Sequence, residues 1–419
     1  MRVLIIGSGG REHAICKKVL ESPKVDKVFV APGNGGISEI AECVNIHVED
    51  TRALVAFALK ESIDMTIVGP EGPLVDGVVD AFEAEGLRVV GPNKEAAQFE
   101  GSKAFTKSFL MRHGIPTAKY LEVTEYEAAV DAIDSFGYPV VIKADGLAAG
   151  KGVIIAQDKP EALKALREIM ADKVFGNSGD KVVLESFLTG IEASILCFVD
   201  GDTILPMSPA QDYKKAFDRD LGPNTGGMGT YSPSQIIDDS IMRKIDDRLL
   251  KPFIKGIKAD GIAFKGILFI GIMIEDDDIN VIEYNVRFGD PETEVTLPRL
   301  ENDLVEVFEA LLDKRLDQIE LRWKSSHAVC VIMAAEGYPA SYEKGMPIGI
   351  PALDGGAYVY HCGTKKADGG IVSNGGRVLG VTALGESLES ARIAAYEAVH
   401  KIEFPKSFYR TDIGKKITL

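Results

Sequence analysis

The stretch MRVLIIGSGGRE, residues 1–12, is an apolar run that ends in a glycine-rich turn. A short apolar run followed by glycines and a helical pattern is typical of the first strand, turn and helix of a parallel α/β sheet. We interpret the run as a buried first strand and not as a leader peptide, because it stops at glycines and charged residues.

The chain up to residue 100 continues this alternation of short apolar runs and helical stretches. The predicted strands are Val3–Ile6, Lys27–Val30, Met65–Val68 and Leu87–Val90, and the predicted helices are Arg11–Glu21, Arg52–Glu61 and Pro73–Glu85. This order predicts a doubly wound parallel sheet. Turns rich in glycine and proline follow the strands, so we expect a ligand at the carboxyl edge of the sheet.

Composition limits the function classes. With 419 residues, of which 46% are hydrophobic and 26% charged, the chain is long enough for several globular domains. A net charge of −16 argues against nucleic-acid binding, and no apolar run reaches the roughly 20 residues of a membrane helix. The five cysteines are scattered, which argues against a disulfide framework and for a reducing cytoplasm.

Beyond residue 101, runs of strands with segregated helices predict α+β lobes, and a strand-rich segment closes the chain. The predicted helices are Lys103–His113, Glu161–Ala171, Ser240–Ala259 and Leu388–His400. The predicted strands are Val140–Lys143, Gly152–Ala156, Val182–Glu185, Ala193–Val199, Gly266–Ile274 and Ile279–Asn285, with a solvated turn at Glu275–Asp278.

Two glycine loops have competing interpretations. Gly7–Glu12 resembles a dinucleotide fingerprint, but the third glycine is replaced by Glu12 and no acid follows the second strand. We therefore favour phosphate or ligand contact at this helix N-terminus over NAD binding. The loop Asp212–Gly229 is too rich in glycine for a regular element, and its interpretations as a surface loop and as a functional loop stay open.

A third loop, Ala144–Gly152, lies between two predicted strands and is flanked by Lys143 and Lys151. Its spacing is one residue short of a Walker A loop, and glycine follows the lysine where that motif has serine or threonine. A mobile hairpin is one interpretation. We favour a flap that covers phosphates, because small residues let backbone N–H groups approach them closely.

The segment Ile279–Arg287 alternates side-chain type with the period of a strand. We expect Val281, Glu283, Asn285 and Arg287 on one face, and Ile282, Tyr284 and Val286 on the other. A solvated polar face would explain the alternation but not the asparagine, which is a poor strand former. Carboxylate and amide oxygens suit Mg²⁺, and a guanidinium suits a carboxylate or phosphate. We therefore predict a metal site.

Taken in order, seven segments resemble the glycinamide ribonucleotide synthetase family of the ATP-grasp superfamily, over essentially the whole chain. They are GSGGREHA (7–14), VGPEGPLVDG (68–77), EGSKAFTK (100–107), PVVIKADGLAAGKGV (139–153), GPNTGGMGTYSP (222–233), RFGDPET (287–293) and GGRVLGVTALG (375–385). The resemblance implies a Rossmann-like N-terminal domain (1–101), a two-lobed ATP-grasp core (102–325, with a flap lobe at about 124–190) and a small strand-rich C-terminal domain (326–419).

The resemblance also implies a reaction. Glycine, 5-phosphoribosylamine and ATP would give glycinamide ribonucleotide, ADP and phosphate, through glycyl phosphate, in purine synthesis. The implied cofactor is Mg²⁺ or Mn²⁺ with ATP. The implied protein is a cytoplasmic monomer or small homo-oligomer that acts on small molecules, without nucleic-acid or membrane partners.

Residue roles follow from the resemblance position by position. The nucleotide would be bound by Lys103, Lys143, Gly146, Gly150, Lys151, Gly152, Glu185, Leu188 and Glu192. The hinge segment Val183–Leu188 would hold adenine by its backbone, and Glu192 would hold the ribose. The metal would be bound by Glu283 and Asn285. The small substrates would be bound by Gly10, Arg11, Glu71, Asp212, Arg287, Asp290 and Arg377, and the residues with catalytic roles would be Lys143, Arg287 and Asp290.

Two departures from the family pattern bear on these roles. Asp212-Tyr-Lys-Lys stands where such ligases usually have Asp-His-Lys-Arg, and the strand before the metal strand offers Phe269, Gly271 and Met273 in place of a second acid. Three rival interpretations remain: another ATP-grasp ligase, such as a purine-pathway carboxylase; an NAD(P)-linked oxidoreductase; and a nucleotide-sensing module without catalysis.

Overall fold

The computed structural model describes residues 1–147, 152–276, 278–353 and 356–415. The N-terminal unit is an α/β sheet. Its strands are β1 (Arg2–Gly7), β2 (Lys27–Pro32), β3 (Glu42–Cys43), β4 (Met65–Val68) and β5 (Val89–Val90). Its helices are α1 (Gly10–Val19), α2 (Thr51–Lys60), α3 (Glu71–Asp76), α4 (Val78–Ala84) and α5 (Gln98–Gly101).

The five strands of this unit pair in the order β3-β2-β1-β4-β5, and every pairing is parallel. The predicted doubly wound sheet is therefore confirmed. The predicted helix Pro73–Glu85 is divided at Gly77, whose φ of 93° lies in the left-handed region that glycine tolerates. Glu71 lies at the carboxyl edge of the sheet because α3 begins three residues after the end of β4.

The central unit contains two antiparallel sheets with helices set against them. Its helices are α6 (Lys103–Arg112), α7 (Tyr126–Ala132), α8 (Lys159–Leu166), α9 (Asp239–Ile245), α10 (Lys251–Asp260), α11 (Thr293–Thr296) and α12 (Leu304–Leu312). Its strands are β6 (Tyr120–Val123), β7 (Val140–Ala144), β8 (Val153–Ala156), β9 (Val182–Ser186), β10 (Ile191–Val199), β11 (Ile204–Pro206), β12 (Gln211–Asp212), β13 (Lys215–Phe217), β14 (Leu221–Asn224), β15 (Gly229–Ser232), β16 (Gly266–Glu275) and β17 (Asp278–Asn285).

Two lobes follow from the pairing of these strands. The smaller sheet has the order β6-β9-β7-β8, and the larger has the order β11-β10-β16-β17. The segment between β9 and β10 connects the smaller sheet to the larger one. Two sheets with separate helices agree with the predicted α+β lobes. β16 and β17 pair as an antiparallel hairpin with Glu275 opposite Asp278, which confirms the predicted turn, although Asp277 lies outside the described residues.

The C-terminal unit is a strand-rich layer closed by one long helix. Its strands are β18 (His327–Ala335), β19 (Pro347–Ile348), β20 (Tyr358–His361), β21 (Thr364–Ala367), β22 (Gly370–Ser373), β23 (Arg377–Gly385) and β24 (Ser407–Phe408), and its helix is α13 (Leu388–Lys401). The main sheet has the order β12-β15-β18-β23-β20, so two strands of the central unit extend it. The glycine-rich segment Asp212–Gly229 therefore contains regular strands, and its interpretation as an irregular loop was wrong.

One expectation about β17 was also wrong. The register shifts between Gly271 and Ile272, which pair with Glu283 and Val281, so Ile282 is an extra residue in the strand. Such a bulge reverses the side to which the following side chains point. The side chains of this strand and its continuation that are buried in the core are Ile279, Val281, Tyr284 and Val286. Val281 thus lies on the core side and does not share a face with Glu283.

Among the described residues, no helix combines the length and the apolar character that spanning a membrane requires.

Candidate active site

Lys143 lies in the cleft between the two lobes of the central unit. It is the fourth residue of β7 and is 4% exposed. Its Nζ lies 2.8 Å from Glu185 Oε1 on the neighbouring strand β9 and donates to the carbonyl of Ile282 at 3.2 Å. The carbonyl of the bulge residue in β17 is therefore a contact between the smaller lobe and the larger one.

Lys107 contacts the same glutamate from the opposite side. Its Nζ lies 2.8 Å from Glu185 Oε2 and donates to Thr117 Oγ1 at 2.7 Å. Burial lowers the pKa of Lys107 to about 8, although the charge of Glu185 acts in the opposite direction. Glu185 is itself 3% exposed, so one buried carboxylate is shared by two buried ammonium groups.

Lys103 opens helix α6, where the Ser102 hydroxyl accepts from the Phe105 N–H and caps the helix. Its Nζ donates to the carbonyl of Gly146 at 3.0 Å, at the start of the predicted flap. Burial lowers the pKa of Lys103, against the nearby charge of Glu283. We refer to Lys103, Lys107, Lys143 and Glu185 as the lysine cluster.

The predicted phosphate flap is described only at its two ends. Gly146 has φ 147°, and a Cβ there would lie 2.4 Å from Ser178 Oγ, so the turn requires glycine. The Gly152 carbonyl accepts from the Ala144 N–H at 2.8 Å and closes the base of the β7–β8 hairpin. Gly150 and Lys151 lie outside the described residues.

The two predicted metal ligands project from β17 beyond the bulge. Glu283 pairs with Gly271 and Asn285 pairs with Phe269, so β16 places no acid beside either of them. Among the described residues, no group of three or more His, Cys, Asp and Glu side chains is arranged to hold a metal ion. One carboxylate and one amide oxygen fit a Mg²⁺ ion that takes its other ligands from water and substrate phosphates.

Lys214 occupies the space beside the predicted metal ligand. Its Nζ lies 2.8 Å from Glu192 Oε1, 3.8 Å from Asp212 Oδ2 and 4.0 Å from Glu283 Oε1. These three carboxylates hold the pKa of Lys214 well above its usual value despite its burial. Partial burial works to raise the pKa of Glu283, but the nearby lysines together hold it below its usual range.

Asp212 is the most perturbed carboxylate of this group. Burial raises its pKa to about 8, and Glu292 and Glu192 act in the same direction against Lys214. Its Oδ1 atom has no hydrogen-bond partner among the described residues. The predicted hinge residue Leu188 lies between the end of β9 at Ser186 and the start of β10 at Ile191.

Arg287, directly after β17, joins the metal strand to the N-terminal unit. Its guanidinium lies 3.2 Å from Glu100 Oε1 and 3.4 Å from Glu71 Oε2, and it donates to Asn285 Oδ1 at 3.4 Å. Glu100 Oε2 in turn accepts from the Val286 N–H at 2.7 Å. Burial works to raise the pKa of Glu71, but Arg287 and Arg11 hold it below its usual value.

Arg11 and Gly10 lie at the start of α1, at the carboxyl edge of the first sheet. Arg11 donates to Glu12 Oε1 at 2.6 Å and to the Phe288 carbonyl at 3.1 Å. A Cβ on Gly10 would lie 2.3 Å from Glu294 Oε1, so only glycine allows the helix to approach this closely. The structure therefore brings Gly10, Arg11, Glu71 and Arg287 to one side of the cleft.

Asp290 and Arg377 connect the central and C-terminal units. Their side chains approach to 2.9 Å between Oδ1 and Nη2. Arg377 Nη1 also donates to the carbonyls of Asp290 at 2.8 Å and Gly226 at 2.6 Å. We refer to Arg11, Arg287 and Arg377, with the carboxylates Glu12, Glu71, Glu100 and Asp290, as the arginine cluster.

Sequence reasoning missed several residues of the site. Lys107, Lys214, Glu12 and Glu100 all lie in segments whose motifs were recognised, but no role was given to them. The signal for Lys107 was its spacing of one helical turn from Lys103, which places both on one face of α6. Glu294 gave no signal, because its complete burial depends on contacts with the N-terminal and C-terminal units.

Comparison with known proteins agrees with this architecture. The family models for phosphoribosylglycinamide synthetase match the chain three times: the N domain at residues 1–100, the ATP-grasp (A) domain at 101–293 and the C domain at 328–416. The phosphoribosylamine–glycine ligase of Caldanaerobacter subterraneus subsp. tengcongensis is 49% identical over 415 residues, which cover 99% of each chain.

Solved structures show the same fold. A crystal structure of phosphoribosylamine–glycine ligase from Thermotoga maritima aligns with TM-score 0.87 and 35% identity, over 98% of this chain and 100% of that one. The biotin carboxylase domain of Hydrogenobacter thermophilus 2-oxoglutarate carboxylase, in complex with MgADP, aligns with TM-score 0.75 and 16% identity, over 97% and 91% of the two chains. This second likeness concerns the fold alone. The predicted fold class and family are confirmed: the chain belongs to the phosphoribosylglycinamide synthetase family, whose ATP-grasp domain implies the use of ATP and a divalent metal ion.

Proposed function

We propose that this chain ligates glycine to 5-phosphoribosylamine at the expense of ATP and so forms glycinamide ribonucleotide, ADP and phosphate in purine biosynthesis. The observation that carries the proposal is the meeting of the two clusters along residues 283–290. The lysine cluster suits a polyphosphate, and the arginine cluster suits small substrates with a carboxylate or a phosphate. Full-length relatives with this activity in their names support the assignment.

On the nucleotide side, Lys103 and Lys143 would contact ATP phosphates, and the loop from Gly146 to Gly152, with Gly150 and Lys151, would cover them. The hinge residues Glu185 and Leu188 would hold adenine by their backbone, with Glu192 on the ribose. Lysine ammonium groups act as point charges that follow the phosphates as they move. The 2.8 Å contact between Lys143 Nζ and Glu185 Oε1 supports a fixed starting position for the Lys143 ammonium group.

Glu283 and Asn285 would hold the metal ion, for which we propose Mg²⁺, with Mn²⁺ as a substitute. When bound, such an ion neutralises charge that develops on the transferred phosphoryl group. The protein's own task is positioning: Lys143 and Lys103 direct the phosphates toward the substrate, and Arg287 fixes the orientation of Asn285 through their 3.4 Å contact.

The chemistry needs two displacements. A glycine carboxylate oxygen attacks the γ-phosphorus, the bond to ADP breaks, and glycyl phosphate forms. The amine nitrogen of phosphoribosylamine then attacks the acyl carbon, phosphate leaves with the former carboxylate oxygen, and the nitrogen loses a proton. Arg287 and Asp290 are the residues that we assign to the reacting groups, with Gly10, Arg11, Glu71, Asp212 and Arg377 on the substrates.

A phosphate-release assay tests the proposal. ATP, Mg²⁺, glycine and freshly made phosphoribosylamine are supplied together, and each is then omitted in turn. We expect phosphate release only with the complete mixture, and glycinamide ribonucleotide as the product. Equal release with other small acids would favour another ATP-grasp ligase, and no glycine-dependent release at all would favour a nucleotide-sensing module. A change in absorbance or fluorescence on titration with a nicotinamide cofactor would favour an NAD(P)-linked oxidoreductase.

We also infer the wider setting of the enzyme. We propose that residues 1–101 form the N-terminal domain, residues 102–325 the ATP-grasp core, and residues 326–419 a C-terminal domain that closes the site. The cytoplasm is the proposed compartment, supported by cysteines that are free throughout the described residues. A monomer or a small homo-oligomer is the expected state, and size-exclusion chromatography with light scattering measures it.

A further inference from the structure

The two lysines that share Glu185 have different surroundings. Lys143 lies in the cleft, on the lobe that carries the flap, while Lys107 lies on the face of α6 behind it. Each Nζ lies 2.8 Å from one oxygen of the carboxylate. Because one negative charge faces two positive ones, the group carries a net positive charge.

We propose that Lys107 is a positioning residue that compensates the charge of Glu185 and thereby keeps the charge of Lys143 available for nucleotide phosphate. This role of Lys107 rests on the proposed function in one respect, which is that the nucleotide is ATP. Without Lys107, Glu185 would pair with Lys143 alone. A phosphate would then have to compete with a buried carboxylate at 2.8 Å for the same ammonium group.

A second contact extends the role of Lys107 to the metal strand. Its Nζ donates to Thr117 Oγ1, and Thr117 Oγ1 donates to the Val281 carbonyl at 2.7 Å. Lys143 meets the next carbonyl of the same strand, that of Ile282. Through these two lysines, Glu185 is connected to consecutive residues of the bulge that precedes Glu283.

The cost of keeping Lys107 charged supports a role beyond packing. The side chain is 2% exposed, and burial lowers its pKa to about 8 against the effect of Glu185, with Lys143 lowering it further and Glu283 raising it. An apolar residue at this position would avoid that cost but would leave Glu185 with one partner. The burial of a charged Lys107 is therefore explained by its effect on Lys143: it compensates the charge of Glu185, which both lysines contact.

Direct binding measurements with the full chain separate this role from a structural one. Lys107→Met removes the charge while keeping the length of the side chain, and calorimetry measures the Kd of MgADP and of adenosine. We expect the Kd of MgADP to rise about tenfold to a hundredfold, the range of one charge-assisted hydrogen bond, while the Kd of adenosine changes less than about twofold. Arg112→Met, on the exposed face of the same helix, is the matched control and should change neither value.

The double variant Lys107→Met with Glu185→Gln tests the mechanism. Removing the carboxylate charge should restore most of the MgADP affinity that Lys107→Met loses, which is the non-additivity expected of residues in one network. If Lys107→Met does not fold, Lys107→Gln keeps a donor for Thr117 and removes only the charge, and the same loss is expected. Unchanged MgADP affinity, equal weakening of adenosine and MgADP, or additive effects in the double variant would each overturn the proposal.

Neither readout depends on glycine or phosphoribosylamine. Failure of the ligation assay would therefore refute the proposed function and leave this inference standing, whereas unchanged nucleotide affinity would refute the inference alone. In the ligation assay, Lys107→Met should raise the KM for ATP and leave the KM for glycine unchanged.

Discussion

The lysine cluster and the arginine cluster meet at β17 but are built differently. Lys143 and Glu185 lie on neighbouring strands of the smaller lobe, and Lys103 donates to the Gly146 carbonyl in the loop after β7. The arginines instead join elements of different units: Arg287 contacts two N-terminal glutamates, and Arg377 joins the C-terminal sheet to Asp290. Lysine suits a group that moves, and the planar guanidinium suits a fixed junction.

The difference teaches how one reaction is divided over the molecule. In the proposed function, phosphates that shift during transfer would meet the single charges of lysines on α6 and β7. Substrates that must be held in one orientation would meet guanidinium donors, which are themselves held by carboxylates and carbonyls. Substitutions at Glu283, where the two clusters meet, and within the arginine cluster test this division.

Glu283→Gln should have the largest effect. It removes the carboxylate that we propose as a ligand of the metal ion, so we expect turnover to fall about a hundredfold or more. Steady-state assays over a range of Mg²⁺ concentrations measure the effect, with Asp278→Asn at the exposed start of the same strand as control. Near-normal turnover with an unchanged Mg²⁺ dependence would remove Glu283 from the metal site.

Arg377→Lys should have an intermediate effect confined to the substrate side. Lysine cannot reproduce the contacts to Asp290 Oδ1 and to the Gly226 carbonyl together, so we expect kcat/KM for phosphoribosylamine to fall about tenfold to a hundredfold. The KM for ATP should change less than about twofold. Arg392→Lys, at a surface pair with Glu389, is the control. An equal rise in both KM values would contradict the separation of the clusters.

Glu294→Gln should have the smallest effect, and only on stability. Burial raises the pKa of Glu294 well above its usual value, with the charge of Asp290 acting in the same direction. The folded protein therefore keeps a proton that the unfolded chain loses above about pH 4.3, so stability falls as pH rises toward the folded pKa. One such group contributes at most about 1.4 kcal/mol per pH unit.

Urea unfolding of the wild-type chain and of Glu294→Gln between pH 5 and pH 8 measures this contribution. The variant should lose less stability than the wild type over that interval, because the amide does not ionise. Glu389→Gln provides an exposed control with little change. Parallel pH profiles for wild type and Glu294→Gln would mean that Glu294 is ionised in the folded protein.

The sequence was most informative where local signals decide the structure. The helical pattern from Lys103 predicted α6, and alternating apolar runs predicted the first sheet, because periodicity acts over a few residues. The bulge at Ile282 could not be predicted, since it arises from pairing with Gly271 on another strand. The same limit applies to the site: Glu283 and Asn285 were visible as a pattern, whereas the ion pair of Lys107 with Glu185 joins residues that are far apart in the chain.

The most direct test follows one carboxylate oxygen atom of glycine into the phosphate that is released. Glycine labelled with ¹⁸O in both carboxylate positions is supplied with ATP, Mg²⁺ and phosphoribosylamine, and the released phosphate is analysed by mass spectrometry. Passage through glycyl phosphate predicts one ¹⁸O atom in each phosphate released. Unlabelled phosphate, released while glycinamide ribonucleotide forms, would contradict the account.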